Sequence, residues 1–265
     1  MKSDLHIHST VSDGSDTIKQ IIETAKTKGL DAIAITDHDT MSHIKQIPDE
    51  ADIRVIAGVE LSSAHHKTNV RAHILGYHIK NAEIISAFTQ ALLEARNENS
   101  EKQVQILIRN GFRIDMDKLS RADGKYLYKQ HIMDWLVSTG QAPDMFGDFY
   151  HRIFKNGGIC AFDIEYADVF ESVRVVKEAG GIAVLAHPGK QQNFEIIPGL
   201  VVAGLDGLEL NHHSNSSKDK EIILDYAGRY GLFLTGGSDY HGRYEPQPFG
   251  IGDFLSGESG NRAIC

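Results

Sequence analysis

At least five strand-like apolar runs in this chain stop at a histidine, aspartate or glutamate, just where a strand would hand over to a loop. SDLHIHS, LDAIAITDHD and RVIAGVELS do so near the start, VRAHILGYH carries two histidines, and GIAVLAHPG, LDGLELNHH and LFLTGGSDYHG repeat the pattern later. Near-continuous apolar runs of this length are expected for strands buried on both faces. Between them lie helical patterns: 17–28, with Ile18, Ile21, Ile22 and Ala25 at helical spacing before Gly29, then 170–180 and 218–230. Strands alternating with helices predict a parallel sheet or barrel, and 265 residues suit one α/β barrel of about 250.

Residues 87–156 differ, with long helical patterns such as AFTQALLEARNENSEKQVQILIRNG and KQHIMDWLVSTG and few strand-like runs. This predicts a barrel from 1–86 and 157–265, with 87–156 as a helical insertion capping its open face. The final SGESGNRAIC, with its Gly and Ser, is expected to be loosely held.

A net charge of −9 opposes attraction to long nucleic acids and anionic lipid surfaces. Two cysteines, Cys160 and Cys265, match no CxxC spacing, and no run approaches a signal peptide or membrane span. The expected location is the cytoplasm. Cys160, in GGICAFD, is expected to be a small buried apolar residue.

Fourteen histidines are the unusual count, and imidazole is the commonest metal ligand. His6 and His8, two apart on a strand, present their rings to one face. The other strand-end groups are Asp37, His38 and Asp39, Glu60, His73 and His78, His187, His212 and His213, and Asp239 and His241, with Asp4 and Asp13 near the first pair. In a parallel barrel such ends open onto a common face, so these side chains converge. Carboxylate and neutral imidazole suit Zn, Mn or Fe, and more than six candidates imply two or three divalent ions. Glu60, as the lone Glu among the strand-end motifs, is the expected bridge. Clustered ions generate hydroxide from a bridging water and neutralise the oxygens of a phosphate under attack.

DLHIHSTVSDGSDT, AITDHDT, GVELSS, HILGYH, LAHPGK, ELNHHSNSS and GGSDYHG, in this order, resemble the successive motifs of the PHP (polymerase and histidinol phosphatase) phosphoesterase family, over about residues 1–80 and 170–252. The resemblance implies a distorted seven-stranded βα barrel, TIM-like, around a two- or three-metal cluster. It implies one ion on His6, His8, Glu60 and Asp239, a second on Asp13, His38 and His241, and a third on Glu60, His73 and His187. The helical insertion is similar to that of the subgroup acting on small nucleotides and short RNA 5′ ends. That subgroup often has two arginines three apart in its first insertion helix and Arg-Pro-His in its second. Here those places read Arg96-Asn97-Glu98-Asn99 and Lys129-Gln130-His131, so a nucleoside bisphosphate does not simply carry over.

The expected activity is metal-dependent hydrolysis of a small organic phosphate, be it a nucleotide, nucleoside bisphosphate, cyclic or sugar phosphate, through a metal-bridging hydroxide. Arg96, Asn99, Lys129 and Lys190 are candidates for substrate binding, and His213 or His131 for general acid. His78, five residues past His73, should face away from the cluster, and His43, His65, His66 and His151 are expected at the surface. Alternatives are a histidinol-phosphate phosphatase, a 5′-to-3′ exonuclease on short RNA and, least favoured, a non-catalytic polymerase module.

Overall fold

The computed structural model describes residues 1–48, 50–244 and 249–265. Strands β1 (Ser3–Ile7), β2 (Ala32–Ile35), β3 (Arg54–His65) and β4 (Val70–Tyr77) are followed by α2 (Ala82–Arg109), with α1 (Ile18–Thr27) between β1 and β2. Next come α3 (Lys129–Ser138), α4 (Asp148–Phe154), the two-residue β5 (Ala167–Asp168), α5 (Val169–Glu178) and β6 (Ile182–Leu185). The chain then runs through α6 (Pro188–Gln191), α7 (Ile197–Ala203), β7 (Gly207–Asn211), α8 (Ser217–Tyr230), β8 (Phe233–Gly236) and α9 (Glu258–Ile264).

Seven strands form the sheet path β1-β2-β3-β4-β6-β7-β8, and β5 pairs with β3 off that path. A parallel bridge between Ile7 and Tyr240 brings the two ends together, giving a nearly closed barrel. The purely parallel sheet expected from the strand–helix alternation is corrected at one strand. β4 runs antiparallel to both β3 and β6, because only the short turn 66–69 separates it from β3. A connection that short permits a hairpin and excludes a crossover helix.

Local signals explain the helices. Thr17 and Gln20 form a capping box at α1, worth about 1 kcal/mol by analogy with measured caps, and Asp168 and Ser216 cap α5 and α8. The apolar stripe of α1 buries Ile18, Ile21, Ile22 and Ala25 against Ile33 and Ile35 of β2.

Helix α2 begins at Ala82 and passes residue 87 without a break. Its Ile85 joins the barrel core with Val173 and Val176, whereas Val104 and Leu107 join Ile132, Met133, Leu136 and Phe154 in a separate apolar cluster. Cys160 belongs to that second cluster and is fully buried.

The C-terminal segment is not loosely held. It forms α9, whose Ile264 is 0% exposed and packs in one apolar cluster with Leu5, Tyr77 and Val184. The helical spacing of Asn261 and Ile264, both turned inward, outweighs the Gly and Ser content of the preceding turn. No helix among the described residues is long and apolar enough to cross a membrane.

Candidate metal centre and substrate cavity

Among the described residues, five close-packed sets of potential ligands meet at one end of the barrel, and two of them, His6–Glu209–His212 and His212–His213–Asp239, share His212. His8, Asp13, His38 and His241 form one set, His6, Glu60, His187 and Asp239 a second, and His38, Glu60 and His73 a third. Within each set every ligand atom lies within 4.8 Å of the others. All nine residues named from the sequence therefore converge, and His38 and Glu60 each belong to more than one of these sets.

β1 delivers His6 and, just past its end, His8, with both rings wholly buried. Asp37 holds the turn that carries Asp13: its carboxylate accepts from the Ser9 amide and from the Ser9 and Ser12 hydroxyls, each at 2.7 Å. His43 Nδ1 lies 3.1 Å from the same carboxylate, so His43 is buried and not at the surface as its context suggested. Non-glycine residues with positive φ cluster here, at Asp39 (60°), His187 (27°) and Asp239 (53°). Such strain persists where the surroundings hold it, and functional sites are a common place for it.

The donor geometry fits divalent cations. His6 Nε2 and His8 Nε2 each lie 3.1 Å from Glu60 Oε2 and 3.3 Å from Asp239 Oδ1. None of His6 Nε2, His8 Nε2 and Glu60 Oε2 has a hydrogen-bond partner despite full burial. Lone-pair atoms that crowd a common point without hydrogen-bond alignment are placed as metal ligands are. Glu60 also lies 2.7 Å from His73 Nδ1, 3.0 Å from His187 Nε2 and 3.4 Å from His38 Nδ1, so its two oxygens face five imidazoles.

Burial and mutual charge shift these groups strongly. Burial alone would raise Asp13, Glu60 and Asp239, yet surrounding histidines, and Lys190 beside Asp239, hold all three well below the usual carboxylate range. Burial opposes charge on His8, but Asp239 and Glu60 overcome it and raise the ring to about 10. On His38 and His187 burial wins, leaving them at about 4 and about 3, neutral and able to ligate.

Two adjoining cavities of ≈ 300 and ≈ 420 Å³ open over the centre and share Asp13, His38, His73, Gln130, Phe146, Tyr150 and Lys155. The larger is bounded by Glu60, Lys190, His213 and Asp239, and the smaller extends to Arg71, Arg96, Asn99, Lys129 and Tyr166. Arg96 is locked by Asp39 at 2.6 Å and Ser62 Oγ at 3.0 Å, with Tyr128 beneath its guanidinium. Lys129 and Arg71 both reach Asp163 Oδ2, at 3.3 and 3.1 Å. Lys190 donates to Asp239 Oδ2 at 2.8 Å.

His131 lines neither cavity. Its Nδ1 accepts from the Tyr128 amide at 3.1 Å, its ring meets Tyr128 and Tyr244, and burial lowers it to about 4. His213 lines the metal lobe, but burial and then neighbouring His212 lower it to about 4 as well. Burial thus places both rings on the low side of the usual imidazole range. His78 points away, its Nε2 on the Ile264 carbonyl at 2.8 Å, while His65, His66 and His151 lie at the periphery.

The sequence reading missed Arg71 and Lys155, ordinary charges with no motif around them, and Glu209. The last was legible in principle: in ELNHH it sits inside a strand-end motif, so Glu60 is not the lone glutamate of that kind.

A barrel with this carboxylate–imidazole centre at its strand ends defines a class of metal-dependent phosphoesterases. The chain belongs to the PHP domain family, whose profile matches residues 4–182. A phosphoribosyl 1,2-cyclic phosphate 1,2-diphosphodiesterase from Eggerthella lenta is 39% identical over 94% of this chain and 97% of its own length. A 3′,5′-nucleoside bisphosphate phosphatase from Chromobacterium violaceum is 29% identical, over 90% of this chain and 86% of that protein, and a 5′-3′ exoribonuclease from Haemophilus influenzae is 28% identical, over 91% and 90%. Among solved structures, one from Bifidobacterium adolescentis, described as a metal-dependent phosphoesterase, superposes with a TM-score of 0.88 at 28% identity, covering 99% of this chain and 94% of that one.

Proposed function

We propose that this phosphoesterase acts on a small doubly phosphorylated substrate of phosphoribosyl or nucleotide size, with the scissile ester over the metal centre and a second phosphate at the Arg71–Lys129 end. The observation that carries this is the paired cavity: carboxylates and histidines bound one lobe, Arg71, Arg96 and Lys129 gather at the other, and Lys155 borders both. Among the described residues, Asp163 and the buried Asp39 are the carboxylates that pair with Arg71, Arg96 and Lys129, so the far lobe retains positive charge suited to a phosphate dianion. Similarity to the Eggerthella protein favours a phosphoribosyl cyclic phosphate, and the missing arginines of the nucleotide subgroup count against a nucleoside bisphosphate as the best substrate.

In this reading His6, His8, Asp13, His38, Glu60, His73, His187, Asp239 and His241 hold two or three divalent ions, with Mn, Zn and Fe the candidates from the ligand chemistry. Bound ions supply an activated water and neutralise phosphate oxygens. Glu60 shares its charge between neighbouring positions. Lys190 adds a cation beside Asp239, where it can hold a phosphate oxygen. The insertion 87–156 supplies Arg96, Asn99, Lys129 and Gln130, and so the choice of substrate.

The test is a steady-state comparison, on metal-loaded protein, of a phosphoribosyl 1,2-cyclic phosphate, a 3′,5′-nucleoside bisphosphate, a 5′-phosphorylated RNA dinucleotide, histidinol phosphate and a chromogenic phosphate ester. The proposal expects the first to have the highest kcat/KM, at least tenfold above the chromogenic ester. Faster turnover of the RNA dinucleotide than of either doubly phosphorylated monomer would overturn it in favour of an exonuclease.

A further inference from the structure

We propose that Glu209 is a positioning residue that sets two metal ligands at once, the ring of His6 and the backbone of His187; this rests on reading the centre as a metal site. Glu209 lies on β7, between β6 and β8 in the sheet, and is fully buried. Its Oε1 is 3.0 Å from His6 Nδ1, and its Oε2 accepts the His187 backbone N–H at 2.8 Å.

Each bond has a distinct consequence. A neutral imidazole has one lone pair and one N–H, and the partner of one nitrogen decides which is which. With Nδ1–H donated to Glu209, the lone pair of His6 falls on Nε2, the atom that faces Glu60 and Asp239. The second bond acts on conformation. His187 has φ 27° and ψ 58°, a region that a residue with a Cβ holds only where its surroundings fix it. Its amide is tied to Glu209 and its ring reaches Glu60 Oε1 at 3.0 Å. The rings of His6 and His187 lie nearly parallel, 20° apart with centroids at 5.6 Å. A single carboxylate thus ties a ligand from β1 to one that follows β6.

The two bonds require two acceptors, which only the carboxylate supplies. In Glu209→Gln the amide oxygen can accept from His6, but then NH₂ meets the His187 N–H donor to donor. Turned over, it accepts from His187 and donates to His6 Nδ1, which moves the His6 proton to Nε2 and blocks the ligand atom. Either way one ligand is misplaced.

The experiment uses the full chain, stripped and reloaded with zinc, and reads zinc affinity by chelator competition, stoichiometry by elemental analysis and the histidine ring nitrogens by ¹⁵N NMR. Loss of about 10- to 100-fold in zinc affinity in Glu209→Gln, with wild-type far-UV circular dichroism, is the expected result. In zinc-loaded wild type, His6 should be protonated at Nδ1. Unchanged affinity with an unchanged His6 signal in Glu209→Gln overturns the proposal. Should that variant not fold, the wild-type spectrum decides, since His6 protonated at Nε2 with zinc bound overturns it equally. Wild type that binds no zinc and no manganese defeats the metal-site reading itself, a result separable from failure of the Glu209 assignment.

Discussion

The Gln130 amide donates to the Asp13 carboxylate at 2.6 Å, a bond that crosses from the first turn of α3 to the ligand-bearing loop after β1. Gln130 borders both cavities. Gln130→Ala should therefore alter selection among substrates without emptying the centre. The expected outcome is unchanged metal content by elemental analysis, and a change of about tenfold in the ratio of kcat/KM between a phosphoribosyl cyclic phosphate and a chromogenic ester. Loss of an ion would place Gln130 in support of the metal and not of the substrate.

Glu60→Gln should be the most damaging single change at the centre. Glu60 faces His6, His8, His38, His73 and His187, whereas Asp13 faces His8, His38 and His241. Metal stoichiometry and kcat should both fall further in Glu60→Gln than in Asp13→Asn, and the reverse order would displace Glu60 from the bridging position.

At the far lobe, Arg71→Ala should raise KM for a doubly phosphorylated substrate about tenfold while leaving a chromogenic monoester within about twofold. Equal effects on both esters would mean that Arg71 does not read a second phosphate.

Cys160 should resist thiol reagents. Burial raises its thiol to about 11 and the residue is 0% exposed. At pH 8 only about one thiol in a thousand ionises at such a pKa, and that fraction grows as pH rises. Native protein should thus react with a disulfide reagent at Cys265 alone, and denatured protein at both; prompt labelling of Cys160 in native protein would contradict the packing.

Ile264→Ala should destabilise the barrel by about 2–5 kcal/mol, the range for deleting a buried aliphatic side chain. Chemical denaturation measures this, and a change below about 0.5 kcal/mol would return the C-terminus to the loosely held state that its Gly and Ser suggested.

Much of the fold and centre was legible because barrel strand ends share a face: a list of polar residues at apolar-run termini is already a list of neighbours. His6, Asp13, Glu60 and Asp239 could be read together in that way. The reversal of β4 was not, since a strand buried on both faces shows the same apolar run in either direction. Arg71 and Lys155 were hidden for another reason, because their neighbourhood exists only once β4 and the end of α4 meet over the cavity. His43 shows the opposite error, a histidine without motif context whose burial follows from a partner, Asp37, inside a motif already noticed.

Because β4 reverses, the chain leaves it at the barrel end away from the centre and must climb back before it can cover the mouth. Helix α2 makes that climb, and its 28 residues rise about 42 Å at 1.5 Å each. Ile85 is seated in the barrel core, Arg96 passes the centre at Asp39, and Val104 and Leu107 anchor the far apolar cluster. The helix therefore works as a measuring rod between two fixed footings. Inserting or deleting one residue between Ile85 and Arg96 would shift the roof by about 1.5 Å and turn it by about 100°, whereas a whole turn would lift it with its facing preserved. Relatives that enlarge or shrink the chamber by this route would be expected to differ in steps of three or four residues along this stretch.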